Sequence, residues 1–393
     1  MIPALFVIGA TYLQTPNTTP APAPPVSKKE QDDEKAHEAA IADDVAQGKK
    51  AAEEAEKKYH LSTNKEWQDR VARIGATIAA IANAGPKWNV TWGDKHFSKF
   101  DYTYKVLQGD DVNAFSLPGG HIYVFEGLMK QIESDDELAG VLGHETAHAA
   151  FRHVATLEHN ADKMNMVSLP LILLSLLVGG GVAAPYVVPG VSLGQQTVAS
   201  GWSVQAEEAA DYGGMQFLLK SKYDPTGMLT FMERLAIDEK LQEGGLEWGI
   251  YRDHPPSEER AQTLTNYITQ AGRPIRRSRV TTSFRVTMHP ADDGTVELDF
   301  GKHALFRLAG SDAITRADQA LPVLNDFFDS TPELYEIQPG PAGSITWRGK
   351  SLLTLAKADA DAAGDSLPDY QQKAVRQVQV ALFTLGFHVW QAH

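Results

Sequence analysis

From Ser134 onward the apolar residues Leu138, Val141, Leu142, Ala149 and Val154 recur at helical spacing, which predicts a helix with one greasy side running to about Leu157. Ser134 followed by Glu137 is a capping-box pattern, and Asp135, Asp136 and Glu137 suit the positive end of the helix dipole, so the helix starts there. Upstream, Asn113 to Phe115 and His121 to Phe125 read as two short strands around a turn at Pro118-Gly119-Gly120. Lys28 to Tyr59, rich in Lys, Glu and Ala, reads as helix, and Gln205 to Tyr212 reads as part of another. Between the two later helices, Leu169 to Leu193 is strongly apolar but is interrupted by Gly179-Gly180-Gly181 and by Pro170, Pro185 and Pro189. A spanning helix needs about 20 uninterrupted apolar residues. The longest helix-friendly run here is Leu171 to Val178, so the segment reads as a buried or membrane-facing helix and loop.

Beyond about Gly272 the pattern changes. A basic link, Pro274 to Arg277, leads into strand-like Val280 to Met288, a turn over His289 to Gly294, and a second strand, Thr295 to Phe300. Leu305 to Phe328 has helical periodicity, Ser344 to Trp347 with Ser351 to Leu353 reads as a hairpin, and Gln371 to Leu385 as a final helix. The fold class predicted is α+β. A mainly helical domain with a small sheet or hairpin occupies 29–272, after an apolar segment and Pro-rich linker over 1–28. A small C-terminal α+β domain occupies 273–393. That last domain carries no catalytic constellation and reads as a surface for an unidentified protein partner.

The helix beginning at Ser134 carries His144-Glu145-Thr146-Ala147-His148. Histidines four apart sit one turn apart and can reach a single metal ion, while the glutamate between them can take a proton from a water that the metal polarises. Zinc requires a third protein ligand and keeps a fourth position open. On a continuous helix His153 would lie about 180° round from His144 and face away. Phe151 and Val154 stand where the metzincin pattern needs Gly and His, which excludes that class. His121 and His159 read as strand or surface histidines. In the downstream helix, Glu207 and Asp211 lie one turn apart, able to supply a metal ligand and an acceptor that orients a ligand histidine. Spacing alone leaves Glu207 and Glu208 equivalent.

Four ordered blocks resemble the zinc peptidase family that includes HtpX, the CaaX prenyl proteases and BepA, a gluzincin group. They are Val112 to Val124 with Gly127-Leu128, Asp136 to His148, the E-x-x-A-D pattern on Glu207, Ala210 and Asp211, and Asp253 to Arg260. The resemblance covers roughly residues 40 to 270 and implies a zincin-type domain holding one Zn2+ through His144, His148 and Glu207. It selects Glu207 over Glu208. Glu145 then acts as general base, and Asn113, Ala114 and Phe115 form a strand edge that holds a peptide extended. The resemblance also places His254 near the metal, as oxyanion stabiliser or as a latch on the open position. Arg260 either complements the site carboxylates or sits on the outer face of the last core helix. Relatives with membrane segments inserted near 169–193 make that stretch a candidate cover over the site.

Composition narrows the setting. A net charge of −14 argues against nucleic acid and against attraction to anionic lipid. There are no cysteines, which removes disulfides and cysteine metal sites. Ile2 to Leu13 has the length of a signal-peptide apolar region without a preceding basic residue, and a Pro/Thr-rich linker follows from Thr15 to Val26. Export to the periplasm or beyond is the expected location. The function expected is an endopeptidase of unfolded or misassembled envelope proteins. The alternative is a latched or inactive assembly factor that binds clients without cutting them.

Overall fold

The computed structural model describes residues 27–85, 88–163, 204–241 and 258–383. The N-terminal apolar run and linker, the apolar stretch 169–193 and His254 lie outside the described residues. The chain divides into two compact units, Met1–Ala40 and Ile41–His393. Helix α1 (Lys28–Tyr59) begins in the first and continues into the second.

The second unit then runs through α2 (Lys65–Asn83), β1 (Thr103–Leu107), β2 (Ala114–Leu117), β3 (His121–Phe125), α3 (Glu126–Gln131), α4 (Asp135–Ala150), α5 (His153–Lys163), α6 (Val204–Leu219), α7 (Thr226–Leu241) and α8 (Glu258–Gln270). The sheet has the order β1-β3-β2, with β1 parallel and β2 antiparallel to the central β3. Side chains of a strand alternate between faces, and here both faces are covered. Tyr104, Val106, Ala114, Ile122 and Val124 join the main core with α2, α4, α6, α7 and α8. Leu107, Phe115, Leu117, Tyr123 and Phe125 join a smaller core with Ala51, Ala52 and Ala55 of α1. Of the two strands read from sequence, His121 to Phe125 coincides with β3, and the other is displaced by a residue to Ala114–Leu117.

Helix α4 is the hub. Ser134 caps it by accepting from the Glu137 amide at 3.1 Å, while the Glu137 carboxylate accepts from the Glu133 amide and from Thr230 and Arg234 of α7. From Glu137 to Ala150 every residue is buried, so this stretch has no exposed side, unlike the one-sided helix its periodicity predicts. The faces that escape a hydrophobicity pattern are made of small residues. A Cβ on Gly214 of α6 would lie 2.9 Å from the His144 amide nitrogen, and one on Gly140 would lie 2.7 Å from the Met228 Cα of α7. The backbones of α6 and α7 therefore press directly on α4, and this close approach brings α6 carboxylates to the α4 histidines.

A second core follows within the same unit. Short α9 (Arg277–Val280) leads to the antiparallel meander β4 (Val286–Pro290), β5 (Val296–Phe300) and β6 (His303–Leu308), then α10 (Ala313–Asp329). A second three-stranded sheet, β7 (Ile337–Pro339), β8 (Ser344–Trp347) and β9 (Lys350–Thr354), precedes α11 (Lys357–Ala363) and α12 (Leu367–Leu382). The α+β class is thus as expected, but residues 305–308, the start of the stretch with helical periodicity, belong to the strand β6 paired with β5. Among the described residues no helix is long and apolar enough to cross a membrane.

Candidate metal centre

Three donor groups meet between α4 and α6. The Nε2 atoms of His144 and His148 lie 3.0 Å apart. Glu207 turns one carboxylate oxygen to each of them, Oε2 to His144 and Oε1 to His148, both at 3.3 Å. All three side chains are buried. Four-coordinate zinc holds ligand atoms at about 2.0–2.1 Å, which places neighbouring donors about 3.3 Å apart at tetrahedral angles. The spacing of His144, His148 and Glu207 therefore fits such an ion, and these three form a group whose ligand atoms lie within 4.8 Å of one another.

Behind the donors, other groups hold them. His144 Nδ1 donates to Asp211 Oδ1 at 3.0 Å, which turns its Nε2 toward the site. Arg260 reaches in from α8 with Nε on Asp211 Oδ2 at 2.7 Å, Nη2 on Asp211 Oδ1 at 2.8 Å and Nη1 against Glu207 Oε2 at 3.1 Å. Of the two sequence readings for Arg260, the one that complements the site carboxylates matches its position. Glu145, also buried, lines with His144, Asp211 and Arg260 a small pocket of about 50 Å3. The remaining walls are Gly140, Val141, Met228, Phe231, Met232 and Leu235, nearly all apolar.

The electrostatics follow from burial and from the surplus of carboxylates. Burial alone would lower the His144 pKa, but Asp211 and Glu207 outweigh it and raise it to about 10. Burial pushes His148 well below the ordinary value, with Glu207 opposing only in part. Asp211 stays low despite burial, because Arg260 and His144 favour its charge, and Arg260 is raised in turn by Asp211 and Glu207. Three carboxylates, Glu145, Glu207 and Asp211, face one guanidinium and the raised His144 here. The excess negative charge favours a cation at the position toward which both Nε2 atoms point.

Not every sequence expectation converges. Asn113, Ala114 and Phe115 lie at and just before the edge strand β2 and are buried, with the Asn113 side chain accepting from the Ala114 amide at 2.9 Å. His121 sits on the far side of the sheet region, hydrogen-bonded to Thr103. His153 departs from its expectation. The helix does not run to Leu157: it stops at Ala150, Arg152 takes a left-handed φ of 53°, and α5 starts afresh at His153. The turn swings the His153 ring back, so that its Nδ1 lies 2.9 Å from His148 Nδ1. Arg152 is held in the turn by Asp44 at 2.6 Å and Asp94 at 2.6 Å. No glycine or proline near 151–153 announces the break, and one of the ion pairs that hold it reaches a residue 108 positions earlier.

Residues 90–268 match Peptidase family M48. The chain is 30% identical over 223 residues to "Metalloprotease LoiP" of Escherichia coli (strain K12), an alignment covering 56% of this chain and 79% of that protein. The chain belongs to peptidase family M48. It is also 29% identical to the "Beta-barrel assembly-enhancing protease" of Escherichia coli O157:H7, over 44% of this chain and 35% of that protein. A third relative is "Mitochondrial metalloendopeptidase OMA1" of Schizosaccharomyces pombe, 29% identical over 44% of this chain and 49% of that protein. M48 peptidases are metal-dependent, and this member is a metallopeptidase with the mixed α+β architecture expected of it.

Proposed function

We propose that this M48 peptidase is a zinc endopeptidase that cuts extended segments of unfolded or misassembled cell-envelope proteins. The observation that carries the proposal is the placement of the His144, His148 and Glu207 donor atoms at tetrahedral spacing, with Glu145 one residue along the same helix. When bound, zinc supplies Lewis acidity, polarising the scissile carbonyl and lowering the pKa of water. Glu145 takes the proton from the attacking water and returns it to the leaving amine. Asp211 keeps the His144 Nδ1 proton in place, and Arg260 holds the Asp211 and Glu207 carboxylates in register. His254 is a proposed oxyanion stabiliser. Residues 113–115 are proposed to pair with the substrate backbone.

The apolar pocket beside Glu145 suits an aliphatic or aromatic side chain next to the scissile bond. Such side chains are buried in folded proteins and accessible in unfolded ones, which supports the client class. The relative named for β-barrel assembly and the apolar run at residues 2–13 support an envelope location.

Glu145→Gln is expected to lower casein hydrolysis by about 100-fold or more while zinc stays bound, since the general base goes and the ligands remain. Activity in that variant equal to wild type would remove Glu145 from the mechanism. A wild type as silent as the variant on every peptide tried would favour the client-binding alternative.

A further inference from the structure

Every ligand imidazole must turn one nitrogen lone pair to the metal, so something must hold the proton on the other nitrogen. For His144 that group is the Asp211 carboxylate. For His148 the neighbour at Nδ1 is not a carboxylate but a second imidazole, His153 Nδ1, at 2.9 Å. His153 Nε2 in turn lies 3.1 Å from the Trp92 carbonyl oxygen. A carbonyl oxygen only accepts, so His153 carries its proton on Nε2. Its Nδ1 is then the acceptor, and His148 is the donor through Nδ1–H. That leaves the His148 Nε2 lone pair facing Glu207 and His144.

We propose that His153 is a positioning residue for the metal, relaying the tautomer set by the Trp92 carbonyl to the ligand His148. The relay rests on the ligand reading given above. Its surroundings are built for it. His153 is fully buried, with the Trp92 ring edge-on at 5.1 Å and the Phe151 ring at 5.8 Å, so a neutral ring is favoured. The loop carrying Trp92 presses close: Gly93 has φ 112°, and a Cβ there would lie 2.4 Å from the Phe151 carbonyl oxygen and 2.9 Å from His153 Cδ2. The Asp94 amide donates to that same Phe151 carbonyl at 2.8 Å, and Asp94 also holds Arg152. The Asp44–Arg152–Asp94 clamp thereby fixes the helix break that brings His153 to His148.

The test is zinc affinity of the full chain, measured by competition with a chromophoric chelator. His153→Phe keeps the ring but removes the acceptor and is expected to weaken zinc binding about 10–100-fold, the usual cost of losing such a partner. His153→Asn puts an amide oxygen near the old Nδ1 position and is expected to recover most of that loss. A His153→Phe protein that binds zinc as tightly as wild type overturns the relay. If Glu207→Ala also keeps wild-type affinity, the ligand set itself is wrong and the relay falls with it; if only His153→Phe does, the ligand set stands without the relay. Should His153→Phe fail to fold, long-range 1H–15N spectra of zinc-loaded wild type decide the matter. They are expected to show the Nε2–H tautomer for His153 and Nδ1–H for His148, and a proton on His153 Nδ1 contradicts the relay.

Discussion

Arg260 is the residue on which the charge balance of the site turns. Its guanidinium is buried and paired with Asp211 and Glu207, the same two carboxylates that raise the pKa of His144. Removing one partner of a buried ion pair leaves an uncompensated charge and costs about 3–5 kcal/mol. Arg260→Met is therefore expected to destabilise the metal-free protein by that order in urea, with excess zinc restoring part of the loss by supplying positive charge. A metal-free variant as stable as wild type contradicts this. At this scale the sequence was most informative where covalent spacing does the geometry: four residues along a helix bring His144 to His148, and four bring Glu207 to Asp211. It misplaced His153 on the far face, because the break that turns that ring back is held by Arg152 meeting Asp44 and Asp94.

At the scale of elements, the site depends on how closely α6 can approach α4. Gly143 and Gly214 face each other there, with the Cβ position of Gly143 only 3.4 Å from the Gly214 Cα. In an exposed helix, Gly→Ala stabilises by about 1 kcal/mol. Gly214→Ala is expected to reverse that sign, lowering stability by about 1–3 kcal/mol as the new methyl drives α6 from the His144 backbone. Zinc affinity is expected to fall with it, since Glu207 moves with α6. A thermal melt at or above the wild-type temperature with unchanged affinity argues against the close contact. Small residues also explain why α4 reads as one-sided when it is buried all round: Gly140, Gly143 and Ala147 are packing faces that apolar periodicity does not register. Residues 305–308 were misread for a related reason. Leu305, Phe306 and Leu308 form a short apolar run whose period is ambiguous until β5 pairs with it.

At the scale of the whole molecule, polar contacts tie the second core to the base of the active helix. Glu133, immediately before the Ser134 cap, accepts from the Ser283 amide at 2.9 Å, from the Ser283 hydroxyl at 2.5 Å and from the Thr281 and Thr282 hydroxyls, and pairs with Arg234 at 3.1 Å. Arg277 pairs with Glu233, and Asp329 accepts from Ser278. Burial would raise the Glu133 pKa, but the Ser283 and Thr281 hydrogen bonds and Arg234 hold it down at about 2, below the ordinary 4.5. A carboxylate depressed in the folded state contributes stability that is fully present above its unfolded pKa and is lost as pH falls through the folded one. The contribution is therefore complete at pH 6 and declines between pH 4.5 and 2. Glu133→Gln is expected to lower stability at pH 6 by on the order of 1–3 kcal/mol and to flatten the acid-side decline. Parallel curves for wild type and variant from pH 6 to pH 3 contradict it. The Glu133 contacts with Thr281, Thr282 and Ser283 join residues about 150 apart in sequence, so no local pattern announced them.

The central claim, that His144, His148 and Glu207 together hold one zinc ion, is tested most directly by the metal content of purified wild type beside Glu207→Ala. Mass-spectrometric metal analysis is expected to find one zinc per chain in wild type and a large loss in the variant, with both proteins folded. Stoichiometric zinc in the Glu207→Ala protein would contradict the ligand set.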